Sequence, residues 1–207
     1  MKNVCLASLL GVLGVLGCSS TSDPGSTAAA GGGNSAGGGN SAGSGNATLP
    51  AQGAISFTVS RSDATCPDVG TTYQVGAPTP PSATSPGDSL VDGVQGAKIS
   101  CSVEGPAPFA FSGSIAATTT APAVPVTVTF SNGAIAADNT GTVSVSVYTP
   151  KLGGFYTSDM PCGLTVIQDQ VKAGSLWAQF SCPAISSVPE GTCGLQGVVA
   201  LENCTGS

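Results

Sequence analysis

With 207 residues the chain has room for one ordinary domain plus extensions, or for two small ones. Only 8% of residues are charged, the net charge is −6, and five Lys and Arg stand singly along the chain. Nothing can gather the cationic cluster that nucleic acid or an anionic headgroup surface requires. Histidine is absent, which removes Ser-His-Asp and Cys-His nucleophilic sites and most zinc and copper sites, because imidazole carries the proton or the metal in each.

The first residues read as an address. Lys2 precedes an apolar stretch from Val4 to Leu16, about 13 residues against the roughly 20 needed to span a bilayer as a helix. It ends in Val15-Leu16-Gly17-Cys18, which resembles the lipobox of bacterial lipoproteins, with Val15 where leucine is commoner. The resemblance covers about the first twenty residues. It implies a signal peptide over 1–17, cut by signal peptidase II, and a Cys18 whose thiol receives a diacylglycerol. Several acyl chains on one residue, palmitate among them, anchor firmly, since each buried methylene contributes about 0.8 kcal/mol. Ser19 directly after Cys18 resembles outer-membrane sorting, so the expected place is the outer membrane, lipid-anchored, on its periplasmic or its cell-surface face.

Residues 18–52 form the next segment, made of Ser, Gly, Ala, Asn and Thr with a Gly-Gly-Gly-Asn-Ser-Ala repeat at 31–36 and 37–42. Such a composition cannot bury enough apolar surface to offset its ordering entropy. As a Gly-rich coil of about 34 residues it would reach about 30 Å, and the expectation is a disordered tether.

From 53 to 207 the texture changes to short alternating runs closed by Gly, Pro, Asn or Asp. Ile55, Phe57 and Val59 alternate with Ser56, Thr58 and Ser60. Ile99 to Val103 does the same, and Phe109 to Ile115 follows the turn-like Glu104-Gly105-Pro106. Val124 to Phe130 is ended by Asn132-Gly133, and Val143 to Val147 follows Asp138-Asn139-Thr140-Gly141. Leu164 with Val166, Leu176 to Phe180 and Leu195 to Leu201 complete the series. Period-two alternation puts one side of each strand in a core and the other in water. The expected fold is all-β, an antiparallel β-sandwich of about eight short strands with disulfides.

Cys66, Cys101, Cys162, Cys182, Cys193 and Cys204 remain once the signal and Cys18 are set aside. An even number in an exported domain predicts three disulfides, with fifteen possible pairings. Cys162 and Cys182 share core phase on strands flanking a turn near Asp169 to Gly174, which favours that bridge. Cys193 with Cys204 and Cys66 with Cys101 are the locally economical remainder. The absence of any Cys-x-x-Cys pair argues against metal.

Gly87-Asp88-Ser89-Leu90 matches the signature of the GDSL hydrolases, in which a distant histidine activates the serine. This chain has no histidine, and Ser89 follows the loop-like Pro81 to Pro86, so it is an ordinary hydroxyl. Asp63, Asp68, Asp88, Asp92 and Asp138 all lie in turn-like contexts, where aspartates bond their own backbone. A carboxylate pair for glycoside hydrolysis or a calcium loop is the alternative for them. Neither pattern is recognisable, and the expectation is no enzyme, no metal and no cofactor.

Trp177 is out of phase with Leu176, Ala178 and Phe180, and Tyr148 with Val145 and Val147. Both can face outward, beside the glycine-hinged stretch Thr149 to Tyr156. Trp177, Tyr148, Phe155 and Tyr156 are therefore the candidate ligand surface, against the plainer reading that Trp177 packs under a loop or in a second core layer. The overall plan resembles small Gram-negative lipoproteins with a Gly/Ser tether and a Cys-rich β domain, a likeness that carries no function with it. The expected role is a non-catalytic, membrane-anchored envelope or surface lipoprotein, structural or adhesive. The alternative is a module that binds a polysaccharide or an envelope protein.

Overall fold

Residues 49–78, 90–188 and 191–206 are described by the computed structural model, the side chains of 167–170 excepted, and all belong to one compact unit, 45–207. The signal segment, Cys18, most of the tether and Gly87-Asp88-Ser89 lie outside the described residues.

Alternating sequence produces alternating burial. β1 (Gln52–Arg61) buries Ile55, Phe57 and Val59. β2 (Thr72–Val75) and β3 (Leu90–Val91) are short, while β4 (Lys98–Glu104) and β5 (Phe109–Thr118) form a hairpin over Glu104 to Pro108. β6 (Pro125–Ile135) and β7 (Thr140–Tyr148) follow, joined at the Asp138-Asn139 turn. β8 (Phe155–Ser158), β9 (Cys162–Lys172), β10 (Ser175–Ser187) and β11 (Gly191–Glu202) end the series. The eight sequence-predicted strands are all present. The other three, β2, β3 and β8, span two to four residues, too few to show a period.

All pairings between these strands are antiparallel, in the order β2-β1-β11-β10-β8-β7-β6-β5-β4. β8 and β9 both lie between β7 and β10, so together they act as one strand broken at Asp159 to Pro161. The layers are two ends of this one sheet, curled over a single core. A Cβ at Gly53 of β1 would sit 3.0 Å from Ile115 Cδ1 and 3.3 Å from Ile99 Cγ2, side chains of β5 and β4. Beyond the strands, Thr120 N–H donates to the Gln74 carbonyl of β2 at 3.1 Å. The outer edge of β4 is occupied as well, since Val103 N–H donates to Thr205 O at 2.9 Å and Gly174 N–H to Val103 O at 2.9 Å. Covering an edge in this way removes a template for intermolecular pairing. Aromatic rings fill the core, with Phe130 edge-on to Phe180 at 5.4 Å and Phe57 stacked on Tyr73 at 5.2 Å.

One predicted turn is absent. Asn132-Gly133 does not end β6 but forms a bulge inside it, with a register shift between Ser131 and Ala134. Asn132 takes φ 52, which asparagine tolerates, and a Cβ at Gly133 would strike the Phe111 ring.

Three disulfides form, and two of the expected pairings are corrected. Cys162 bonds Cys182 as the hairpin phase indicated, with Cα atoms 4.3 Å apart. Cys66 pairs with Cys193 rather than Cys101, and Cys101 with Cys204 rather than Cys193. The reason is non-local. β1 runs against β11 with Arg61 opposite Cys193, which carries the loop holding Cys66 to that point. The curl brings β4 against the chain beyond β11, where Ser102 bridges Thr205 and Cys101 meets Cys204.

Long loops gain most from closure in the chain-entropy account. Sequence separations of 127 and 103 correspond to roughly 5 kcal/mol each, against about 3 kcal/mol for the separation of 20 in the hairpin. Replacing Cys101 and Cys204 together by Ala should therefore lower the urea midpoint further than replacing Cys162 and Cys182. Thiol titration of the unreduced parent should find none of the six from Cys66 to Cys204 free. Equal midpoints, or two reactive thiols among the six, would contradict this assignment.

Candidate functional site

Among the four aromatic residues singled out from sequence, the fold brings two together. Tyr148 ends β7 and Phe155 opens β8 directly opposite it, with ring centroids 5.4 Å apart and planes at 40°. Both are out of core phase. Phe155 remains 58% exposed and Tyr148 half-buried.

The other two are corrections. Tyr156 follows Phe155 by one residue, so the strand turns it inward, and it is fully buried in the core. Its stretch looked like a loop only because β8 is four residues long. Trp177 does face outward from the core, on the row Ala54–Ala200–Trp177 across β1, β11 and β10. Alanines on the two neighbouring strands leave room for the indole, which is 5% exposed in a small second cluster. Chain at Pro78 closes it off, accepting a hydrogen bond from Trp177 Nε1 at 3.2 Å. Packing beneath a loop is thus its role.

The aromatic pair is held in place by a buried carboxylate that sequence reading treated as a turn residue. Asp68, 1% exposed, accepts hydrogen bonds on Oδ2 from Tyr73 Oη at 2.5 Å and from Thr149 Oγ1 at 3.2 Å. Lys151 Nζ lies 3.9 Å from Oδ1 and donates to Thr71 Oγ1 at 2.9 Å. Thr149 Oγ1 also receives the Leu152 N–H at 3.2 Å, so the turn leading into Phe155 is tied to the β1–β2 loop. Burial, then the hydrogen bond to Asp68, pushes the Tyr73 phenol from 10.0 up to about 12.

The remaining described aspartates on the candidate list behave as ordinary loop carboxylates. Asp63 accepts from Thr65 N–H at 2.7 Å and from its hydroxyl, and Asp138 does the same with Thr140 at 3.1 and 2.7 Å. Those bonds, the side-chain one first, hold both carboxyls below their usual range. Asp92 Oδ1 accepts from Ile99 N–H at 2.7 Å. Among the described residues, no three Cys, Asp or Glu gather as a metal-binding group.

What sequence reading missed is a row. The registers align Ser100, Ser114, Thr129, Ser146, Thr157 and Ser186, one from each of β4, β5, β6, β7, β8 and β10, on the outer face. Neighbours along it touch, with Thr157 Oγ1 donating to Ser146 Oγ at 3.1 Å and the Ser114 and Thr129 hydroxyls 3.4 Å apart. The Tyr148–Phe155 pair occupies the next row, one step along the same strands.

Replacing Asp68 by Ala strands two buried donors, and at about 1–3 kcal/mol for each the expected loss in urea unfolding is about 2–6 kcal/mol. Lys151→Ala, with its side chain 59% exposed, should cost no more than about 1 kcal/mol. A smaller loss for Asp68→Ala than for Lys151→Ala would refute the clamp. Tyr73 adds a pH dependence. Between about pH 10 and 12 the folded chain keeps a proton that the unfolded chain has released. Stability should therefore be intact below pH 10 and fall through that window. A Tyr73→Phe variant should flatten that fall, read from unfolding midpoints across the range.

Compared with known proteins, the chain matches no family model, no curated protein and no solved structure at a significant level.

Proposed function

We propose that this chain is a non-catalytic envelope lipoprotein, held to the outer membrane by an acylated Cys18 and extended on its Gly/Ser tether. Its β domain has a structural or adhesive role at the periplasmic or cell-surface face. The observation that carries the reading is Val15-Leu16-Gly17-Cys18 behind a short apolar stretch, followed at once by the Gly/Ser tract. Three disulfides suit a compartment that is oxidising and proteolytic. Among the described residues, no helix is long and apolar enough to cross a membrane.

A second reading, a module that binds a polysaccharide or an envelope protein, is favoured by the exposed Phe155 ring beside Tyr148. Paired aromatic faces held on strands lose little entropy on contact and present apolar area to a ring or side chain.

The anchor is tested by expressing the full chain with Cys18→Ser in a Gram-negative host. The expected outcome is loss from the membrane fraction and loss of incorporated radiolabelled palmitate. Persistent membrane association of the variant would overturn the lipoprotein reading.

A further inference from the structure

We propose that the outer face of β4 to β8 is a binding platform for a neutral, polyhydroxylated polymer, a polysaccharide without charged groups. The polymer would lie from a concavity over β4 and β5 to the Tyr148–Phe155 pair.

Hydroxyls on the outer side of a sheet are ordinary. Two further features set this face apart. First, a concavity of about 600 Å³ opens at the β4 end of the row, within the range of small-molecule sites. Ser100, Ser102, Ser112, Ser114 and Thr129 line it, with Leu49 and Asn203 at its margin, and no charged residue belongs to its wall, although Ser102 Oγ donates to Glu104 Oε1 at 2.9 Å. Second, the row leads from that concavity through Ser146 and Thr157 to the flank of the aromatic pair, whose Phe155 is among the most exposed large apolar side chains described.

The chemistry of both ends selects the ligand. A sugar presents hydroxyls around its rim and C–H bonds on its faces, so it needs neutral donors and acceptors together with an aromatic surface. Hydroxyl side chains serve as donor and acceptor alike, and adjacent strands space them at about 4.8 Å along the row. From Ser100 to Thr157 the hydroxyl row carries no ionised side chain, so an anionic polymer lying along it would find no cation within the row to offset its desolvation. The nearest cation, Lys98, stands at the β4 end of the aromatic pair's row, four strands from Phe155, and Asp159 is taken up by Ser186 Oγ at 2.5 Å. A second concavity, about 490 Å³ and lined by Thr58, Thr165, Gln179, Ser181 and Gln196, has no aromatic pair beside it and serves as the internal control.

The inference builds on the adhesive reading, yet the two fail separately. The Cys18 assay reads membrane attachment, whereas binding is measured on the full chain in detergent, where the anchor holds nothing. The probes are microcrystalline cellulose, chitin and granular starch, with carboxymethyl cellulose as the anionic counterpart. Expected is retention on at least one neutral polymer, undiminished in about 1 M salt, where the Debye length is about 3 Å. Phe155→Ala and Thr129→Val should each weaken it tenfold or more, and Thr58→Val should leave it unchanged. Circular dichroism matched to the parent certifies each variant's fold. Should Thr129→Val misfold, the exposed position of Phe155 keeps the Ala variant decisive. No retention on any neutral probe, retention only on the anionic one, or a loss that follows Thr58 instead of Phe155 would each overturn the proposal.

Discussion

A sheet that buries only one face has to meet itself, and in this chain the meeting of β1 with β4 and β5 is the contact on which everything else depends. Gly53 lets the backbone of β1 approach Ile115 and Ile99, and Leu201 Cδ1 lies 3.1 Å from where a Cβ would stand on Gly113 of β5. Buried side chains from every long strand then join in one main cluster, with Ala54, Trp177 and Ala200 in a small second one. Apolar burial at roughly 25 cal/mol per Å² is the main favourable term, and a domain with so few charges has little else to draw on. Two of the three disulfides join segments distant in sequence, Cys66–Cys193 through the β1–β11 pairing and Cys101–Cys204 at the closure itself. Cross-linking there restrains the unfolded chain most, because those loops are the longest.

The same closure separates what the sequence discloses from what it hides. Each strand of seven residues or more carries its own period, so Ile55 to Val59 and Val143 to Val147 announce both their conformation and their buried side. Phase also placed Cys162 opposite Cys182, since a hairpin is a local object. It could not pair Cys66 with Cys193, because that depends on β1 and β11 lying side by side across more than a hundred residues. Locality was the wrong guide there. Trp177 shows the limit of phase in another way, since facing out of one layer still leaves a residue free to be covered by a passing segment near Pro78.

The candidate surface was half legible for related reasons. Tyr148 and Phe155 stand at outward positions and are joined by a short glycine-hinged turn, so their proximity follows from chain connectivity. Tyr156 was misjudged because four residues of β8 offer too little pattern to fix its side. The hydroxyl row was present in every strand as the polar half of the alternation, but its alignment belongs to register. A slip of one residue in any pairing would turn its member into the core. Asp68 was equally hidden, as nothing in Cys66-Pro67-Asp68-Val69-Gly70 foretells that Tyr73 and Thr149 will close over its carboxylate.

The way the chain enters the sheet also decides how the domain would bear mechanical load. Gln52 pairs with Glu202 of β11 and Val91 of β3, so a pull on the preceding chain acts at that end of β1 and opens its hydrogen bonds to β11 one after another. That unzipping reaches a stop at Cys66, where the bond to Cys193 passes the force covalently into β11, the strand between β1 and β10. The chain from Gln52 to Cys66 has a contour of about 50 Å at roughly 3.3–3.6 Å per residue, of which β1 already spans about 30 Å as an extended strand, so the added reach before the stop is about 20 Å. Beyond it, tension runs into the interior of the sheet rather than along its margin. The lengthening a tug can draw from β1 is therefore bounded by the Cys66–Cys193 bond, and it comes at the expense of the closure that β1 makes with β4 and β5.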